Sequence, residues 1–160
     1  MNDRFTHLDD AGAARMVDVS GKEVSVREAR ATGCVHVSAE VIALLRSGGV
    51  PKGDALAVAR IAGIQAAKRT PDLVPLCHPI AIHGVNVNLE VLDDRVAIEA
   101  IVRTADRTGV EMEALTCVSV AALALIDMVK AVDPAAVIDD IRLESKSGGR
   151  RGHWSREDGA

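Results

Sequence analysis

Apolar residues fall on every second position in two neighbouring stretches: Val85, Val87, Leu89 and Val91, then Val96, Ile98, Ala100 and Val102. This period sets one face of an extended chain against a core. Asp93 and Asp94 stand between the stretches, so residues 82–92 and 95–104 are predicted to pair as an antiparallel hairpin. Val24, Val26 and the run CVHV at 34–37 predict a strand within 23–36, and residues 137–143 predict the last one.

Between these stretches the period changes. Ser38 is placed to cap a helix over 39–46, which Gly48 and Gly49 close. Pro51 breaks the chain, and Asp54 then caps a second helix from 55 to about 69, ended by Thr70 and Pro71. Ala55, Ala59, Ala62, Gly63, Ala66 and Ala67 give that helix a face of small residues. Such a face lets another backbone approach closely, either the sheet of the same chain or a helix of a second subunit. A long apolar helix is predicted over 114–132, stopped at Asp133 and Pro134.

The order strand, two helices, two antiparallel strands, helix, strand predicts an α+β fold. It is that of a ferredoxin-like βαββαβ sandwich with an extra helix and an antiparallel sheet. The 160 residues are expected to form one domain. An irregular N-terminal segment over about 1–20 and a flexible basic tail over about 146–160 flank it. Helices on one sheet face leave the other open, and so apolar a chain is expected to cover it by oligomerising.

Composition narrows the functions. Phe5 and Trp154 are the only aromatic residues, which argues against stacking on single-stranded nucleic acid. A net charge of −4 gives no footprint for duplex binding. No nucleic-acid partner is therefore expected. Cys34, Cys77 and Cys117 are odd in number and form no CxxC pair. Neither a disulfide framework nor a structural zinc site is expected, and a cytoplasmic location fits. The N-terminus lacks the apolar stretch of a signal peptide. No apolar run reads as long and charge-free enough to span a bilayer, so no membrane partner is expected.

The run GVEMEAL at 109–115 puts Glu111 and Glu113 at the mouth of the long helix, with Asp127 and Lys130 near its far end. A helix that only fills a core needs none of these charges. An extended chain just before the helix would point Glu111 and Glu113 the same way, into one pocket. Repulsion there raises one pKa and suits acid–base work. Acidic residues in a first turn also simply favour the helix dipole. Asp127 and Lys130 are i, i+3 neighbours, a spacing that an exposed ion pair of little energetic weight shares. Glu113 and Asp127 come within about 40° on the helical wheel but lie roughly 20 Å apart along the axis. Either the ligand is long, or the site mixes groups from two subunits.

Lys52 lies between Pro51 and the helix-opening Gly53 and Asp54. It can meet an anion at a helix N-terminus or stand as a solvated loop lysine; the local sequence is not a Walker loop. Leu76, Cys77 and His78 sit between Pro75 and Pro79, which hold His78 at a fixed angle. Cys77 reads as a small buried hydrophobe, and His78 as a proton carrier or phosphate donor. His78 and His83 lack a third ligand for a metal. Lys146 opens the segment KSGGRRG, which either folds over phosphates or is a disordered tail.

Together these segments resemble the MoaC-like family of molybdenum cofactor biosynthesis, the cyclic pyranopterin monophosphate synthases. The resemblance covers nearly the whole chain. It rests on MVDVS at 16–20, VREAR at 26–30, KGD at 52–54, ARIAGIQAAKRT at 59–70, LCHP at 76–79, GVEMEALT at 109–116 and DMVKA at 127–131. It implies a ferredoxin-like fold assembled as a homohexamer, a trimer of dimers, with sites at subunit interfaces. The activity it implies is that of a lyase. The substrate is a small molecule, (8S)-3′,8-cyclo-7,8-dihydroguanosine 5′-triphosphate, and the products are cyclic pyranopterin monophosphate and pyrophosphate. No cofactor is required, although Mg²⁺ accompanying the triphosphate is compatible with the reaction.

Carried over position by position, the resemblance implies Asp127 as the active-site aspartate, with Lys130 and Lys52 as essential lysines. Leu76, Cys77, His78, Met112 and Glu113 match substrate-binding segments. Glu111 matches a further pocket acid, and Lys146 opens the tail. That tail often reads KSGGKSG in the family; here Arg150 keeps the charge, while Arg151 puts bulk where a small residue is usual. Two other readings stand beside this one. A non-catalytic phosphate-ligand module on the same fold leaves the charges of the long helix unexplained. A metal-dependent nucleotide hydrolase would use the acidic cluster.

Overall fold

A computed structural model describes residues 7–150 and 152–157. Phe5, Arg151 and the last three residues of the tail lie outside the described residues. Strand β1 (Ser25–His36) is central, between β3 (Arg95–Asp106) and β4 (Val137–Ser147). Strand β2 (Gly84–Val91) pairs with β3, and the short β5 (Trp154–Ser155) with β4. All pairings are antiparallel, in the order β2-β3-β1-β4-β5, a ferredoxin-like sheet extended by one strand.

The hairpin follows from the alternation. Leu89 stands opposite Ile98 and Val87 opposite Ala100, and all four are buried. On β1 the inward positions are Ala29, Ala31, Gly33 and Val35, all buried under the helices. The outward face is polar instead of apolar. Arg30 pairs with Glu99 at 2.5 Å, Arg103 with Glu28, and Thr32 donates to Glu144. Apolar side chains left uncovered include Val58, Ile61 and Leu123 on the helices and Val26 and Val137 at strand ends.

Helix α1 (Ala39–Ser47) is capped by Ser38, whose hydroxyl accepts the Val41 N–H at 3.3 Å, and ends at the left-handed Gly48. Helix α2 (Ala55–Lys68) is capped by Asp54, which accepts the Ala57 N–H at 3.0 Å. Thr70 and Pro71 do not simply stop the chain. They open a further turn, α3 (Thr70–Leu73), because the N–H that proline lacks has no intrahelical partner in a first turn.

Helix α4 (Glu111–Val129) begins three residues earlier than the sequence predicts. Glu111 and Glu113 are therefore helical, about 200° apart on the wheel, and do not point the same way from an extended segment. Val110, at the cap position, makes no side-chain cap bond, so no capping residue signals this start. Within the chain, the small face of α2 makes its closest approach to another helix. A Cβ at Gly63 would lie 2.9 Å from the Cys117 carbonyl oxygen and 3.1 Å from Ala121 Cβ, so the close approach is to α4 of the same chain. By length and composition α4 could cross a bilayer, contrary to the sequence expectation. Here Ala114, Cys117, Val118, Ala121, Ala122 and Leu125 are fully buried, the pattern of a core helix.

Strand β4 continues through Ser147 rather than ending at 143, so Lys146 is a strand residue. The basic tail then folds back, pairing Trp154 with Lys146 and Ser155 with Ser145. Register shifts against β1 and a left-handed Asp140 (φ 55°) interrupt the alternation of β4, which hides its length in the sequence.

Candidate functional site

Three segments meet at the N-terminal end of α4. The loop after α3 brings Leu76, Cys77 and His78; the first turn of α4 brings Glu111, Met112 and Glu113; the segment before β1 brings Val17, Val19 and Lys22. They enclose a cleft of about 370 Å³. His78 Nε2 donates to the Val17 carbonyl at 2.5 Å, tying the loop to the N-terminal segment. Arg107 Nε donates to the Lys22 carbonyl at 3.0 Å and fixes the other end of that segment.

A second cleft of about 420 Å³ opens beside the first, with Lys22, Arg27, Lys146 and Arg150 outnumbering Glu28 and Glu111 in its wall. Val17, Lys22, Gly109 and Glu111 border both clefts. Four cationic side chains around one cavity suit a polyphosphate, whose oxygens accept charge-assisted hydrogen bonds. Gly148, at φ 93°, lets the tail approach this wall, since a Cβ there would strike the Val26 carbonyl oxygen.

The two carboxylates at this junction differ sharply. Burial raises the Glu111 pKa, but Lys146, its own backbone N–H and Arg27 outweigh that and hold it below the usual range. Lys146 Nζ lies 2.8 Å from Glu111 Oε1. Glu113 is 3% exposed. Burial pushes its pKa up to about 7, against its own backbone N–H and with help from the Glu111 charge. The pair thus offers one fixed anion and one carboxyl able to exchange a proton near neutrality. Burial, with the Glu113 charge, also raises the Cys77 thiol, which keeps it a neutral lining group.

At the far end of α4 a second cluster forms. Lys130 Nζ lies 2.7 Å from Asp127 Oδ1; Lys52 Nζ lies 3.1 Å from Asp127 Oδ2 and 2.8 Å from the Asp127 carbonyl oxygen. The Lys130 and Lys52 hydrogen bonds hold the Asp127 carboxyl below its usual range. All three side chains are substantially exposed, Asp127 at 57%. Glu113 and Asp127 keep their relation on the wheel, yet one is covered and the other open. The helix separates them by about 21 Å.

The predicted site residues therefore fall into two groups. Leu76, Cys77, His78, Glu111, Met112, Glu113 and Lys146 border the joined clefts. Lys52, Asp127 and Lys130 form the distant cluster, and one chain does not bring the two together. Sequence reasoning gave no role to Lys22 and Arg27. Arg27 carried a signal: it occupies an inward position of β1, in line with Ala29, Ala31, Gly33 and Val35, where only apolar or small residues are expected. Lys22 lies in an irregular segment and carried none. Among the described residues no three His, Cys, Asp or Glu side chains gather into a metal-binding group.

A family model described as the MoaC family matches residues 16–149. The chain is 69% identical over 154 residues to a protein named cyclic pyranopterin monophosphate synthase from Streptomyces avermitilis, covering 96% of this chain and 91% of that protein. It is 68% identical over 154 residues to a protein of the same name from Streptomyces coelicolor, with the same coverage. It is 60% identical over 152 residues to cyclic pyranopterin monophosphate synthase 2 of Mycobacterium tuberculosis, covering 95% and 91%. With the family model spanning β1 to β4, the long helix and most of the lining of both clefts, the chain belongs to the MoaC family.

Proposed function

We infer that this chain converts (8S)-3′,8-cyclo-7,8-dihydroguanosine 5′-triphosphate into cyclic pyranopterin monophosphate and pyrophosphate, a lyase step of molybdenum cofactor biosynthesis. One observation carries the inference. A chain 69% identical to a synthase of that name joins a cleft with a split carboxylate pair to a cleft walled by four cations.

The chemistry accounts for the residue types. Forming a cyclic monophosphate from a triphosphate requires a substrate hydroxyl to attack the α-phosphorus and lose its proton, while the bond to the β-phosphate breaks. Cations stabilise the charge that develops on departing pyrophosphate. Ring opening and re-closure need groups that hold or move protons. In this reading His78, Glu111 and Glu113 face the purine-derived ring, and Lys22, Arg27 and Lys146 face the phosphates. Asp127 orients Lys130 and Lys52, which transfer protons and contact phosphate.

The distance between the two groups supports a site shared by subunits, within a homohexamer built as a trimer of dimers. The apolar residues left open on α2 and α4 are consistent with such contacts. The reading assigns no resident cofactor, with Mg²⁺ entering only alongside the triphosphate, and a cytoplasmic location. Incubation with the cyclised dihydroguanosine triphosphate tests the function: pyrophosphate and a pterin product are expected together. Binding without either product would favour a non-catalytic phosphate-ligand module, and chelator-sensitive release of phosphate alone would favour a metal-dependent hydrolase.

A further inference from the structure

Glu111 borders both clefts, and its carboxylate does not extend into solvent. It curls back across the chain just before α4, and the absence of a side chain at Gly109 makes this pose available. A Cβ built at Gly109 would collide with Oε2 of Glu111 and crowd its Cδ at 2.7 Å and Oε1 at 2.9 Å; no other group lies as near. In the same pose Oε1 meets Lys146 Nζ at 2.8 Å, and the carboxylate interacts with its own backbone N–H. It thereby covers an N–H that the capping position, Val110, leaves without a side-chain acceptor.

We propose that Gly109 is a positioning residue for the reaction, a bare backbone seat that fixes the Glu111 carboxylate between the ring-facing cleft and the phosphate-facing cleft and sets how much of the Lys146 charge is available to substrate. The inference rests on the function proposed above. It separates this glycine from those required by backbone geometry: Gly48, Gly53 and Gly148 adopt positive φ, whereas Gly109 does not. An alanine is therefore compatible with the backbone at 109, and the nearest atoms it displaces are the end of a flexible side chain.

Gly109→Ala isolates this role. The variant is expected to keep the wild-type melting temperature and oligomeric size. It is expected to lose on the order of tenfold or more in kcat, the scale of one misplaced charge-assisted hydrogen bond. In a double-mutant cycle the Gly109→Ala change should add almost nothing once Glu111→Gln is present, because both act through the same carboxylate. A second readout does not depend on turnover. In protein carrying ¹³C-labelled glutamate carboxyls, the Glu111 resonance, assigned by its loss in Glu111→Gln, should titrate at higher pH in Gly109→Ala than in wild type, since contact with Lys146 is lost. Full turnover in Glu111→Gln would sink the functional reading of Glu111, and the titration would still decide the seat. An unchanged Glu111 titration, or an independent multiplicative loss in the double variant, overturns the proposal.

Discussion

Glu111 and Glu113 lie two residues apart in one helical turn, and their carboxyls are driven in opposite directions: Glu111 below the usual range by Lys146, and Glu113 up to about 7 by burial. The folded Glu113 pKa exceeds its ordinary value of 4.5, so the native state holds the extra proton between about pH 4.5 and 7. Stability from this group is greatest below that window, falls as pH rises through it and is flat above. Glu113→Gln removes the slope. It should raise unfolding free energy above pH 7 by on the order of 1–3 kcal/mol while reducing turnover. Urea unfolding at pH 5 and pH 8 checks this; an unchanged difference between the two would contradict it.

Lys52, Asp127 and Lys130 are exposed, and exposed ion pairs contribute little to folding. Lys52→Ala and Lys130→Ala should therefore abolish turnover while leaving melting temperature and oligomeric size as in wild type. Asp127→Asn should act in the same direction. Steady-state assays beside size-exclusion chromatography decide it, and full activity in either lysine variant would remove the cluster from the mechanism.

Arg107 donates to the backbone of Lys22 and lies outside the lining of both clefts. Arg107→Ala should loosen the segment that places the Lys22 ammonium at the junction of the clefts. The expected result is a KM raised roughly three- to tenfold, the scale of one such hydrogen bond, with kcat changed less. An unaltered KM would mean that Lys22 is positioned by other contacts.

Gly63 tests packing rather than chemistry. Its would-be Cβ meets the Cys117 carbonyl and Ala121, neither of which can rotate away. Gly63→Val should cost about 1–3 kcal/mol by forcing α2 from α4, readable as a lower denaturant midpoint. A midpoint equal to wild type would mean that the helices have slack between them.

The parts of the fold legible in the sequence are those in which one period runs uninterrupted. Val85 to Val102 set both hairpin strands and their register, and Ser38 and Asp54 cap helices as their side chains dictate. The start of α4 was missed because Val110 caps nothing, and a glutamate folding over a glycine replaces the missing cap. The length of β4 was missed because a bulge breaks its period. At the site, LCH, GVEMEAL and Lys146 were readable as chemistry misplaced in apolar surroundings. Lys22 was not, because its role comes from an irregular segment held by His78 and Arg107, contacts that no local pattern encodes. The charges on the outer sheet face are not legible from overall composition, because they pair across strands: Glu28 with Arg103 directly opposite, and Arg30 with Glu99 on the diagonal.

In the proposed mechanism, catalysis draws Lys52, Asp127 and Lys130 from one subunit and His78, Glu111 and Glu113 from another. Complementation measures it directly. Lys52→Ala and His78→Ala proteins, each inactive alone, are mixed, dissociated in mild denaturant and reassembled, then assayed for pyrophosphate release from the cyclised dihydroguanosine triphosphate. Across a two-fold interface, half of the sites in each mixed dimer carry both wild-type groups, so random reassembly should restore about a quarter of wild-type turnover. If the mixture stays inactive while wild-type protein taken through the same cycle recovers, the site is not shared in this way.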